Sequence, residues 1–313
     1  MTRVPAIAFS ISTLHRPDGL ERILRSLAAQ AVPEGFELQA VVVNNDPDDP
    51  APRGVVDRVA ADSGLEITLV DEPKRGVAPP RNRGLRTAAD RVGPDGLVGF
   101  VDDDEETPDG WLAELLRVKA AHAADIVTGP VLPRFEETPP AWIVEGGFFD
   151  KPERPTGTLR PWAFTNNVLF DASLLSRLDS FFDEGFLRLS EDRHFFQRLA
   201  RSGARIVWAA DAAVIDAIPP SRATAGWLVR RMRTVGRCVA PLRRDLDGPF
   251  RAITMTLLKS PAWIGIGTAT TAIGVVRGRA CRVRGRSWIA YGVGLAEGVF
   301  SSGRAGAPAS SAD

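Results

Sequence analysis

Five acidic residues in succession, Asp102, Asp103, Asp104, Glu105 and Glu106, follow the apolar run 96–101. Each carboxylate repels its neighbours, and a turn alone is made more cheaply with Gly, Asn or a single Asp. The run therefore calls for positive charge. Carboxylate oxygens are hard ligands for Mg2+ or Mn2+, and an Asp-x-Asp pair can hold such an ion while leaving positions for phosphate oxygens. A solvated acidic turn that caps a helix beginning near Pro108 is the plainer reading. Two other motifs fail on spacing. A calcium loop starting at Asp102 needs Gly at 107 and an acid at 113, where the chain has Thr107 and Ala113. A phosphatase-type nucleophile loop needs Thr or Val at 106, where Glu106 stands.

A second polar group spans Arg75–Ala88. Gly76 ends a turn, Pro79 and Pro80 suit only a first helical turn, and Arg81, Asn82 and Arg83 follow as donors. An Arg side chain bonds phosphate oxygens or a base edge through its planar fork. A surface helix with solvated arginines weighs equally against that. A third group spans Leu189–Phe196, where Glu191 and Asp192 adjoin at the rim of a short amphipathic helix ended by Gly203. A carboxylate there could take a proton from an attacking hydroxyl, or the two acids could simply complement the helix dipole. His194, one of 3 histidines, reads as structural rather than as a ligand.

These groups need elements to bring them together. β-rich runs alternate with helical patterns through the first half; Leu20, Ile23, Leu24 and Leu27, for example, recur at helical spacing. Strand-helix repetition with strands apolar on both faces predicts a parallel sheet covered by helices, with ligands gathered beyond the carboxyl ends of the strands. The acidic run falls at such an end. From Trp111 to about Ile218 the rhythm loosens into Pro-rich loops, and beyond Pro220 the chain turns basic and helical.

Lys+Arg and Asp+Glu both total 39, so net charge gives no reason to expect nucleic acid as a partner. Cys238 and Cys281 are the only cysteines, which leaves no disulfide framework or metal-ligand spacing and fits a reducing cytoplasm. No secretory signal is read at the N-terminus. The uncharged stretch Ser260–Val276 carries Pro, Gly and Thr and falls short of a membrane span, which predicts a buried or interface-lying helix.

Taken in order, the three groups resemble the family 2 glycosyltransferases, inverting enzymes of the GT-A fold, over about Ile7 to Arg237. The resemblance implies a Rossmann-like, mostly parallel α/β sheet flanked by helices. It implies a nucleotide-sugar-binding and catalytic domain over 1–220, a basic, partly apolar helical extension over 221–302 and a disordered tail over 303–313. In the family, the acids after the fourth strand meet the donor ribose and a divalent cation, Mn2+ or Mg2+. Carried over, Asp102 meets the ribose side and Asp104 the metal, with Asp102 shared as a ligand and Asp103 kept open by a one-residue shift. Thr13 matches the donor-binding end of the first strand, where Ser12 replaces the family's Pro. Asn44 and Asp46 lie where the family reads the base, and Arg81 matches its basic position, with Pro80 in place of Ala. Asp192 matches the catalytic base by register with the paired Phe, and Glu191 would orient it.

The implied reaction transfers a sugar from a nucleoside-diphosphate sugar to an acceptor hydroxyl with inversion. The acceptor, whether glycan, lipid-linked or small molecule, is left open. A nucleotidyltransferase acting on a sugar phosphate is the alternative, but such enzymes place a Gly-rich phosphate loop after the first strand, and this chain has only Gly19 there. A non-catalytic donor-binding module is the other. Arg230, Arg233 and Arg237 share one helical face that either closes over the donor or forms a basic outer surface. The arginines beside Ser260–Val276 suit an anionic membrane surface, so that the cytoplasmic protein would be peripheral at the inner face of the membrane; packing on the catalytic domain or a homodimer contact explains the apolar part equally well.

Overall fold

The computed structural model describes residues 5–186 and 190–300. Leu189 and the tail expected over 303–313 lie outside them. Along the chain run β1 (Ala6–Thr13), α1 (Pro17–Ala28), β2 (Glu37–Asn44), α2 (Ala51–Ser63), β3 (Glu66–Asp71), α3 (Ala78–Val92) and β4 (Leu97–Phe100). Then come β5 (Glu105–Glu106), α4 (Trp111–Ala121), β6 (Ile126–Thr128), β7 (Val131–Phe135), α5 (Ala141–Glu145), β8 (Leu159–Arg160) and β9 (Val168–Asp171). A 3₁₀ turn, Ala172–Arg177, precedes α6 (Glu191–Arg201), β10 (Ile206–Trp208), β11 (Val214–Ile218), α7 (Ala225–Asp247), α8 (Pro249–Arg277) and α9 (Arg279–Phe300). The Pro-rich stretches expected as loops therefore contain short elements, β7, α5 and β8.

The chain divides into two compact units, one of residues 1–134, 151–183 and 192–217, the other of 135–150, 184–191 and 218–313. The first is built on a sheet in the order β3-β2-β1-β4-β9-β6-β10-β8. The first four strands are parallel; β9 runs antiparallel between β4 and β6, and β8 antiparallel to β10. A smaller sheet, β5-β11-β7, adjoins the acidic run.

The two faces of β1 explain the layering. Ile7, Phe9 and Ile11 point to one side, where they pack with Leu20, Ile23, Leu24 and Leu27 of α1. Pro17 at the helix start, the 3–4 spacing of these leucines and isoleucine, and Asp18 in the first turn together account for α1. Full burial of each such side chain contributes about 1.5–3 kcal/mol. On the other face Ala6 and Ala8 share a core with Leu85 and Ala88 of α3, and farther across the same face Phe195 and Phe196 of α6 pack on Phe170 of β9. That face is small because α3 comes close: a Cβ on Gly84 would strike the Ser10 hydroxyl and Val43.

In the second unit, α8 and α9 pack through glycine. A Cβ on Gly267 or Gly285 would meet the backbone of the facing helix, at 2.6 Å and 2.5 Å respectively. Trp142, Ile143, Leu228 and Val283 form a separate small core. Among the described residues no helix is long and apolar enough to cross a membrane.

Candidate functional site

The strand order turns back at β1 and β4: successive strands step from β1 to β2 and β3, and β4 then returns to the free side of β1. The carboxyl ends of strands at such a reversal leave a crevice where no helix covers the backbone. Parallel registers place Thr13 opposite Asn44, and Ser10 opposite Phe100, so the chain continuing from β4 brings Asp103 alongside Thr13. Thr13, Asn44 and the acidic run thus meet by register alone.

Side chains alternate along the run. Asp103 is buried, while the side chain of Asp102 is 41% exposed and that of Asp104 21% exposed. Burial raises the Asp103 carboxyl to about 6; the Arg16 charge and the facing Thr13 side chain oppose the shift, and the charges of Asp104 and Asp102 add to it. Asp102 lies low in the crevice, so despite its open edge it is raised, first by loss of water. Arg81 opposes that shift, and the charges of Asp104 and Asp192 add to it. Glu105 is buried, accepts the Asp102 backbone N–H at 2.8 Å and is pushed well above the ordinary range by burial and then by the Asp102 charge. Arg16 answers this negative charge, donating to Asp103 at 3.1 Å and to Asp104 at 2.9 Å. The start of α1 fits against the Asp103 carbonyl only because residue 19 is glycine.

Asn44 and Asp46 stand beyond β2. The Asn44 amide donates to the Asp49 carbonyl at 3.2 Å and accepts the Asp46 N–H at 3.1 Å, which shapes the turn. Asp46 is paired with Arg75 at 2.7 Å and His15 at 3.2 Å, and the Arg75 hydrogen bond holds its carboxyl below the usual range.

Arg81, on the first turns of α3, is mostly buried and reaches Asp102 at 3.5 Å. Asn82 beside it is buried and exchanges two hydrogen bonds with the Phe182 backbone, donating at 2.8 Å and accepting at 2.9 Å. This ties α3 to the segment ahead of α6. Asp192, on the first turn of α6, lies near enough for its charge to raise Asp102. Glu191 and His194 are buried, and Phe195 and Phe196 anchor the helix in the core. Ser190, directly before them, has a left-handed backbone, φ 94°, which is costly for a residue with a Cβ and is met disproportionately at functional sites.

The first unit therefore brings together Thr13, Arg81, Asp102, Asp103, Asp104 and Asp192, with Asn44 at the neighbouring strand end. Asp46 is engaged with Arg75 and His15. Sequence reasoning missed Arg16, the cation that bridges Asp103 and Asp104, and Glu105 as a carboxyl that supports the Asp102 backbone. The basic Arg16 directly after β1, set against an acidic run after β4 of a parallel sheet, was the available signal. Within the second unit, Arg233 and Arg237 both pair with Glu297, the latter at 3.6 Å, which fits a basic outer face.

Among the described residues no group of three or more His, Cys, Asp or Glu side chains is arranged to hold a metal ion. A site completed by substrate needs fewer protein ligands, because Mg2+ is commonly held by one or two carboxylates plus phosphate oxygens and water. The donor set fits that type: the accessible carboxylates of Asp102 and Asp104 flank an inward Asp103. Since Arg16 pairs with Asp104, a dication on that carboxylate would share it with the guanidinium.

The family profile described as "Glycosyl transferase family 2" matches residues 9–179, a stretch that contains Thr13, Asn44, Asp46, Arg81 and Asp102 to Asp104 and ends before Glu191. The succinoglycan biosynthesis protein ExoM of Rhizobium meliloti (strain 1021) is 30% identical over 240 residues, 75% of each chain. Two solved structures share the fold. The mannosyltransferase PcManGT from Pyrobaculum calidifontis, in complex with GDP-Man and Mn2+, superposes with a TM-score of 0.62 at 22% identity, covering 96% of this chain and 88% of its own. S. aureus TarS 1-349 in complex with UDP superposes with a TM-score of 0.54 at 17% identity, covering 93% and 90%.

Proposed function

From its place in glycosyl transferase family 2, to which this chain belongs, we propose a metal-assisted, inverting transfer of a sugar from a nucleoside-diphosphate sugar to an acceptor hydroxyl, with Asp192 as general base. The protein is a glycosyltransferase of GT-A fold. What supports the finer reading is the placement of the acidic run beyond β4 beside Arg81 of α3, which reaches Asp102 at 3.5 Å, with the Asp192 charge on α6 bearing on the same carboxyl. These groups lie far apart in the chain, at a strand end and on two helices.

Their roles divide by surroundings. Asp102 and Asp104 present oxygens for Mn2+ or Mg2+ and for the donor ribose, and Arg81 offers N–H groups to the diphosphate. The bound cation supplies neutralisation of the charge that builds on the leaving diphosphate. Thr13, Asn44 and Asp46 line the nucleotide side, with Asp103 holding the floor through Arg16. Asp192 accepts the proton of the acceptor hydroxyl as its oxygen attacks the anomeric carbon from the face opposite the diphosphate, so the configuration inverts. Glu191, next to it at the start of α6, orients the base. The nucleotides seen with PcManGT and TarS support a nucleoside-diphosphate donor. The name of the ExoM relative supports a glycan acceptor in polysaccharide or glycoconjugate biosynthesis.

Asp192→Asn tests the assignment. A panel of nucleotide sugars with Mn2+ or Mg2+, read by thermal shift, identifies the donor; the variant should bind it as wild type does and lose transfer by 10²-fold or more. Turnover close to wild type would remove Asp192 from the mechanism. A donor shift that is the same with and without the cation would remove the metal.

A further inference from the structure

We infer that α8 docks the protein on an anionic lipid bilayer, lying along its surface with the face from Leu257 to Val276 in the boundary between headgroups and acyl chains. The helix is amphipathic in the wrong sense for water. Its buried positions are small or polar, Ala252, Thr256, Ser260, Gly267 and Gly274. Its outward positions include Leu257, Leu258, Ile266, Ile273, Val275 and Val276, with Leu258 at 72% and Val276 at 91% exposure. A helix that packs only against its own protein turns its large apolar residues inward, and a contiguous exposed apolar face marks an interaction surface.

The charge pattern selects the occupant. Residues 260–276 carry no charge, and the exposed cations Arg251, Lys259, Arg277, Arg279, Arg282 and Arg286 flank them, with Glu297 the sole acid between 249 and 300. A second copy of this chain would bring those cations against their own kind, whereas each Lys or Arg near an anionic lipid surface is attracted to it. Beside the face lies a groove of about 270 Å³ lined by Met255, Trp263, Ile266 and Leu295 together with Arg243 and Lys259. Apolar walls with two cations match an acyl chain and its anionic headgroup. Trp263 packs edge-on with Trp288 and Tyr291 at 5.8 and 5.5 Å, and aromatic side chains with one polar end favour the membrane-water boundary. The close glycine packing of α8 on α9 occupies the inner side of the helix, which leaves one face for lipid. Such a helix lies on a membrane rather than through it.

Flotation of the full-length protein with phosphatidylcholine vesicles, with and without 30 mol% phosphatidylglycerol, tests this at ~50 mM salt, where screening is weak. Binding to the anionic vesicles is expected, with Trp emission quenched by brominated acyl chains. Arg277→Gln/Arg279→Gln/Arg282→Gln should weaken binding by about fivefold per arginine. Leu258→Ser/Ile273→Ser/Val276→Ser should abolish quenching while helical circular dichroism and the donor-induced thermal shift persist. If the serine variant misfolds, the arginine variant and the wild-type quenching decide. No flotation with anionic vesicles at low salt overturns the proposal. So does binding that neither variant changes, or a concentration-dependent dimer, lost in the serine variant, without vesicle binding.

Discussion

At the scale of single residues, the crevice concentrates negative charge where water is scarce. Asp103 shows the consequence: its carboxyl rises from 3.8 to about 6 because burial outweighs Arg16. A carboxyl that binds its proton more tightly folded than unfolded stabilises the fold fully below the ordinary carboxyl range, and the contribution is lost as pH climbs to about 6. Above that pH the ionised Asp103 weakens the protein. Asp103→Asn should therefore raise the melting temperature at pH 7.5, by ~1–3 kcal/mol of stability, with the gain shrinking toward pH 4.5. An equal gain at both pH values would contradict this cause. The metal follows the opposite sign: stabilisation by Mn2+ with a nucleoside diphosphate should be strong at pH 8 and weaken as pH falls, because burial raises the Asp102 carboxyl and a protonated ligand releases the cation. Calorimetric titration across this range measures it. Cys238, by contrast, is driven to about 11 by burial and then by the Glu191 charge, so its thiol stays protonated and unreactive.

At the scale of elements, the site depends on how closely α3 and α6 are drawn to the sheet. Asn82 carries one such link, since both of its hydrogen bonds go to the Phe182 backbone in a buried setting. Asn82→Ala leaves a buried N–H and a buried carbonyl unpaired, at a cost of roughly 2–4 kcal/mol. Because Arg81 is the preceding residue, donor affinity should fall along with stability, as isothermal titration with the best nucleotide sugar would show. Gly84 carries another link. Gly84→Val would force α3 off the sheet through Ser10 of β1 and Val43 of β2, with about 1–3 kcal/mol of overpacking as a floor. A melting temperature unchanged by this substitution would refute the close approach.

At the scale of the whole molecule, a ligand that binds only the folded chain stabilises by RT ln(1 + [L]/Kd), about 2.7 kcal/mol at 100 times Kd. The donor panel should therefore separate the true nucleotide from the others by several degrees in melting temperature, and the separation should disappear on chelation of the cation. The second unit is governed by another rule. Its helices hold together through glycine, serine and threonine while leucine, isoleucine and valine face outward along α8, which is a sequence written for an apolar neighbour.

By itself the sequence determined the local rules: the 3–4 spacing of α1, the doubly apolar β1, the helix start at Pro79 and Pro80, and the acids placed after a strand. Those features follow from periodicity and backbone chemistry, which act over a few residues. The order of the three polar groups carried the family. Only the tertiary structure decided which charges meet, because a contact such as Arg16 with Asp103 and Asp104 depends on strand order and register rather than on spacing along the chain. The same holds for Asn82 with Phe182, and for the outward face of α8, where composition alone left burial and exposure equally open.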